Sequence, residues 1–98
     1  MKLKNYRMKH TGTTEDYCDN CGKYTLVTNH HLIFGSGRRK FSDYFGLVRP
    51  LCMDCHHEIH HGTEGSDLAN HYRVVGQQQF EAENPDLDFK EVFGRYYD

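Results

Sequence analysis

Two Cys-x-x-Cys pairs, Cys18-Asp-Asn-Cys21 and Cys52-Met-Asp-Cys55, constrain this chain more than any other feature of its sequence. Four thiolates at these spacings close one tetrahedral zinc site, since a d¹⁰ ion accepts four sulfurs and each short knuckle supplies two. Between and after the knuckles run His30-His31 and His56-His57-Glu58-Ile59-His60-His61, which hold six of the eight histidines. The cysteines therefore read as a structural site, and the histidines are left for a second one. Two disulfides are the alternative use of four cysteines in a secreted chain. No positive-then-apolar leader opens the sequence, and a reducing compartment favours zinc. A Cys-x-x-Cys redox centre fits less well, because two knuckles closing one site is the simpler account.

A chain of 98 residues reads as one domain, with a modest core of the kind a metal helps to stabilise. Mean hydropathy is −0.84 and no apolar run is long enough to cross a bilayer, so the expectation is a soluble, cytoplasmic protein with no membrane partner. The net charge of −2 is unevenly spread: residues 1–17 carry +2, residues 18–61 carry +1 and residues 62–98 carry −5. Basic character thus lies beside the metal-ligand region, where a local phosphate-facing surface would need it.

Residues 1–16, polar and ending in Thr11-Gly-Thr-Thr-Glu-Asp16, read as an extended or flexible N-terminal arm, either solvated or reaching toward DNA. From Tyr24 to Leu32 the composition is β-like, and a strand there delivers His30 and His31 at its exit. Phe34 to Gly46 reads as a loop with a cationic tip at Arg38-Arg39-Lys40. Leu47 to Leu51 is a second short strand, with Pro50 confining it to an edge or a strand end. A helix begins near Met53 or Asp54 and stops at Gly62. Two helices follow: one capped by Ser66-Asp67 with Leu68, Tyr72, Val75 and Phe80 on its apolar stripe, and one opening at Pro85 that buries Phe89, Val92, Phe93 and Tyr96. The organisation is an arm (1–16), a zinc-stapled core (17–62) and a C-terminal helical extension of the same domain (63–98).

His56 and His60 are four apart, so both imidazoles share one helix face and can reach a single ion. His57 and His61 repeat that spacing about 100° round the helix. If the two strands form a hairpin packed on this helix, His30 or His31 closes the third side. The other histidine stays free as a general base toward a water attacking phosphorus, a task that suits neutral imidazole at physiological pH. A bound cation would stabilise the charge that builds on the phosphoryl group and the departing 3′ oxygen.

His30-His31 followed by a loop and Leu51-Cys-Met-Asp-Cys-His56, with His60 four residues on, resembles the HNH, or ββα-metal, endonucleases of the subgroup with two CxxC knuckles. More narrowly, His30 to Leu47 and the closing Phe93-Gly-Arg-Tyr-Tyr97 resemble small HNH-like proteins of phages and prophages. The resemblance covers residues 18–61, and the C-terminal helices loosely. It implies a small α+β fold, a ββα-metal finger core stapled by a four-cysteine zinc site (Cys18, Cys21, Cys52, Cys55), with C-terminal helices packed on it. It also implies His31 as general base, with His30, His56 and His60 holding a catalytic divalent metal (Mg²⁺, Mn²⁺, Ni²⁺ or Zn²⁺) beside the structural Zn²⁺.

The function so implied is metal-dependent hydrolysis of DNA phosphodiesters, on double-stranded DNA in a bacterial host cell, in phage packaging, recombination or DNA degradation. Oligomeric state is left open. Arg38, Arg39 and Lys40 are the candidate phosphate contacts, with a solvated loop tip as the other reading. The chain departs from the family at its middle Asn, where Gly46-Leu47-Val48 stands, leaving Asp43 or Ser42 to brace the loop. The alternative function is a catalytically inactive HNH-like zinc module that binds nucleic acid or a protein partner.

Overall fold

The β-branched and aromatic run that opens at Tyr24 forms the central strand of a three-stranded antiparallel sheet, β2 (Tyr24–His31). The computed structural model describes residue 3 and residues 5–35, 37–61 and 65–97. On one side β2 pairs with β1 (Thr13–Tyr17), which sets Tyr17 opposite Tyr24 with their rings edge to face at 4.9 Å. On the other it pairs with β3 (Val48–Cys52), which sets Val27 opposite Cys52 and His31 opposite Val48. Pro50 is tolerated because β3 is an edge of the sheet, where its missing N–H interrupts no second ladder. The N-terminal arm becomes extended strand at Thr13. Farther back, Tyr6, Lys9 and His10 bond to the Asp43 carboxylate.

One expectation is corrected. The segment after Phe34 is not all loop, because Arg38–Tyr44 forms a helix, α1. Nothing local favours it: Gly37 stands at the N-cap in a left-handed conformation without a side-chain cap, and three cations crowd the positive end of the helix dipole. Tertiary contacts decide the matter. Arg38 Nε donates to the Phe93 carbonyl at 2.9 Å, Phe41 packs edge-on against Phe93, and Ser42 and Asp43 are fully buried.

The helix α2 (Met53–His61) follows β3 without a break and packs on β2, β3 and α3 (Gly65–Glu83). The stop expected at Gly62 lies outside the described residues, and the expected Ser66-Asp67 cap is corrected, because α3 already includes both residues in its first turn. On α3, Tyr72 and Phe80 are buried while Leu68 and Val75 are half-buried. The last helix, α4 (Phe89–Phe93), begins later than Pro85 suggests, with the Asp88 carboxylate accepting from the Lys90 N–H at its N-cap. It buries Phe89 and Phe93, but Tyr96 is 48 % exposed and Tyr97 takes the inner position. The helix ends at Gly94, whose φ of 91° breaks the 3.6-residue period before it reaches Tyr96. No helix among the described residues is long and apolar enough to cross a membrane.

The core is one buried cluster that joins Leu32, Ile33, Leu47 and Leu51 to residues of α3 and α4, with Phe80 in ring contact with Phe45, Phe89 and Phe93. Gly76 is the close-approach point: a Cβ there would stand 2.8 Å from Leu32 Cβ and 3.1 Å from Ile33 Cδ1. In an exposed helix Gly→Ala is favourable by about 1 kcal/mol. Here overpacking outweighs that gain, so G76A should lower the unfolding free energy by about 1–2 kcal/mol net. Urea unfolding followed by circular dichroism measures it, and a stabilised variant would show that α3 does not seat so closely on the strand exit.

Candidate functional site

The first knuckle is a turn leaving β1, closed by the Gly22 N–H donating to the Cys18 carbonyl at 2.9 Å, with Gly22 at a φ of 78°. The second straddles an element boundary: Cys52 is the last residue of β3 and Cys55 sits in the first turn of α2. The Asp19 N–H donates to the Pro50 carbonyl at 2.8 Å and ties the first knuckle to β3. The four sulfurs consequently lie within 4.8 Å of one another, and none is in a disulfide. The set can bind zinc.

Burial opposes ionisation of Cys18, but N–H groups of Cys21, Cys52 and Asn20 aimed at it bring its thiol down to about 6. Burial pushes Cys55 up to about 12, and the neighbouring Cys52, Cys18 and Cys21 thiols add to that. Four such sulfurs do not ionise together without a cation to neutralise them, and a metal-bound thiol is deprotonated outright. The donor set thus fits a divalent ion on its own chemistry.

The second cluster uses the strand exit and the same helix. His30, His56 and His60 each bring one ligand nitrogen to within 4.8 Å of the others, a set that could hold an ion. His30 is 2 % exposed, and its Nε2 is buried without a hydrogen-bond partner, an observation that suits a lone pair reserved for a cation. Burial, then repulsion from His56 and His60, lowers its pKa to about 3, and burial lowers that of His56 as well. Both imidazoles are therefore neutral at physiological pH, as a ligand must be. Phe34 and Tyr72 stand edge-on to the His30 ring at 5.4 and 5.8 Å, and the Arg73 guanidinium lies 4.1 Å over Phe34. The alternative pair points elsewhere in part: His57 is exposed, and the side chain of His61 is outside the described residues.

His31 opens onto the same cleft, half-buried, with Nε2 3.5 Å from Asp43 Oδ1. That separation is too long for a full hydrogen bond, yet the carboxylate favours a proton on Nε2 and leaves the lone pair on Nδ1. Burial lowers the His31 pKa, and Asp43 opposes the shift only in part. Asp43 itself is completely buried. It accepts from the Tyr6 hydroxyl, from the Lys9 and His10 N–H groups at 2.9 and 2.8 Å, and from His10 Nδ1 at 2.7 Å. Burial pushes its carboxyl up, but these donors hold it well below the usual carboxylate range. Ser42, the neighbouring candidate brace, grips the chain just past His31: its hydroxyl donates to the Ile33 carbonyl at 2.5 Å and accepts from the Ile33 N–H at 3.0 Å.

The three candidate phosphate contacts separate. Arg39 lines the cleft with the histidines, and Lys40 is exposed. Arg38 is turned inward onto Phe93, and Arg49 is similarly engaged, donating to Gln79 Oε1 of α3 at 2.7 Å. Tyr6 and His10 carry no local signal in the sequence. Both lie in a polar arm, and only the long-range bonds to Asp43 bring them to the site.

Two outcomes are expected. The purified protein should carry one tightly bound zinc per chain at the cysteines, and C52S should lose both zinc and cooperative unfolding. Elemental analysis showing no zinc, with disulfides by mass spectrometry, would overturn this. For Asp43 the folded pKa is depressed, so its stabilising effect is complete above the ordinary aspartate value and is lost as pH falls through the lower folded value. The stability advantage of wild type over D43N should hold near neutrality and shrink below about pH 4. Urea unfolding at stepped pH reads it, and a pH-independent advantage would contradict it.

Compared with known proteins, the chain matches no family model, no curated protein and no solved structure.

Proposed function

We propose that β2, β3 and α2 form a ββα-metal nuclease core and that the protein is an HNH-type, metal-dependent endonuclease hydrolysing DNA phosphodiesters. The observation that carries the reading is one cleft holding His30, His56 and His60 within mutual ligand distance and, on the adjoining backbone position, His31 facing a buried carboxylate. Ligand and base are then neighbours in sequence and face one substrate position. A divalent cation held by the three imidazoles would act as a Lewis acid toward the phosphoryl oxygens. His31, neutral through burial, takes a proton from the attacking water at Nδ1, and Asp43 stabilises the imidazolium that results. Arg39 on the cleft wall suits a phosphate of the backbone, a contact that carries no sequence information. Ser42 and Asp43 on α1 take over the bracing of the base that the family's missing Asn would provide.

Purified protein should cleave plasmid DNA with Mg²⁺, Mn²⁺, Ni²⁺ or Zn²⁺ added, and EDTA should stop it. H31A should slow cleavage roughly 10²–10⁴-fold, the usual worth of a general base, with circular dichroism unchanged. A wild type inert with every ion, or an H31A variant as fast as wild type, would overturn the nuclease reading and favour a binding module on the same scaffold.

A further inference from the structure

The N-terminal segment brings a fifth imidazole to the histidine cleft. His10 lines it together with His31, Arg39 and the three clustered histidines. Its Nδ1 lies 2.7 Å from Asp43 Oδ1, and His31 Nε2 lies 3.5 Å from that same oxygen. One buried carboxylate oxygen thus faces two imidazoles from different chain segments, and both open onto one cleft. The His10 side chain is 33 % exposed against 11 % for His31, which puts it on the rim and His31 deeper.

The hydrogen-bond chemistry gives the two rings different parts. Asp43 is ionised and accepts, so His10 Nδ1 carries a proton and Nε2 is its only nitrogen left for the cleft. With both nitrogens protonated the ring keeps Nδ1–H on Asp43 and presents Nε2–H to the cleft as a proton donor. His31 lies deeper in the cleft at the longer separation from that oxygen, and it is the base in the nuclease reading, the partner that accepts the proton.

Resting on the nuclease reading above, we propose that His10 is a second catalytic residue of the cleft, the general acid that protonates the departing 3′ oxygen of a phosphodiester whose leaving group is a poor one. In that step the water oxygen bonds to phosphorus and its proton passes to His31. The bond from phosphorus to the 3′ oxygen breaks, and that oxygen takes the proton from His10 Nε2. One imidazole gains a proton as the other loses one, so the charge summed over the two rings facing Asp43 does not change. Exchange with bulk water restores both. The substrate class follows: unactivated sugar–phosphate diesters need this proton, whereas diesters of acidic alcohols do not.

The test uses that difference. In H10N a side-chain amide N–H replaces Nδ1–H toward Asp43 but supplies no acid. Cleavage of duplex DNA and hydrolysis of bis(p-nitrophenyl) phosphate, whose p-nitrophenolate leaves without a proton, are measured on the full chain with the same ion. The ratio of DNA rate to activated-diester rate should fall roughly 10²–10⁴-fold in H10N. In H31A both rates should drop together and the ratio should stay within about threefold, because the base serves either substrate. An H10N ratio equal to that of wild type, whether both rates fall or neither does, would overturn the proposal and leave His10 a positioning residue or a wall. A wild type without activity on either substrate would overturn the nuclease reading and this inference with it, which is distinct from an active wild type that ignores H10N.

Discussion

The cleft is organised around the gathering of four cysteine sulfurs, because they bring three pieces of chain to one point. Cys18 and Cys21 belong to the turn after β1, Cys52 to the end of β3 and Cys55 to the first turn of α2. Fixing the last strand residue and the first helical turn to one point sets the angle at which α2 leaves the sheet. That angle carries His56 and His60 across from His30. The cysteine cluster and the histidine cluster share α2, so one aims the other. Tyr72 adds a second connection, since its hydroxyl donates to Asp19 in the first knuckle at 2.9 Å while its ring stands against His30.

Asp43 is the other organising point, and its physics is of the opposite kind. The cysteines are like groups that ionise together only around a cation. Asp43 is a single buried carboxylate, and the donors around it make its ionised form the stable one. A buried charge is costly unless hydrogen bonds satisfy it, and here a hydroxyl, two backbone N–H groups and an imidazole do so. The N-terminal segment is held by this carboxylate and so becomes one wall of the cleft. Charge, order and access at the site are thereby linked through one side chain on α1.

Parts of this were legible in the residues alone. The two knuckles are short-range patterns whose chemistry is indifferent to the rest of the fold, and the four sulfurs do converge. The i, i+4 spacing of His56 and His60 places both on one helix face by geometry, and the β-like run before His30 brings it to a strand end. Other parts were not. Arg38, Arg39 and Lys40 look alike in sequence, yet one is buttressed on Phe93, one lines the cleft and one faces solvent. Tyr96 falls on the apolar stripe of a helix extended through it, but the glycine at 94 ends the helix first.

The donor sets could be read from the residues alone, because ligand type and short spacing are properties of a few consecutive residues. The existence of α1 depends on the closed fold, since its N-terminal cations oppose the dipole and distant contacts with Phe93 and the buried Ser42 and Asp43 stabilise it. With α1 in place, Asp43 reaches His31 from twelve residues away and His10 from thirty-three. No periodicity encodes such a meeting, because it depends on which buried charge finds which donors once the chain has closed.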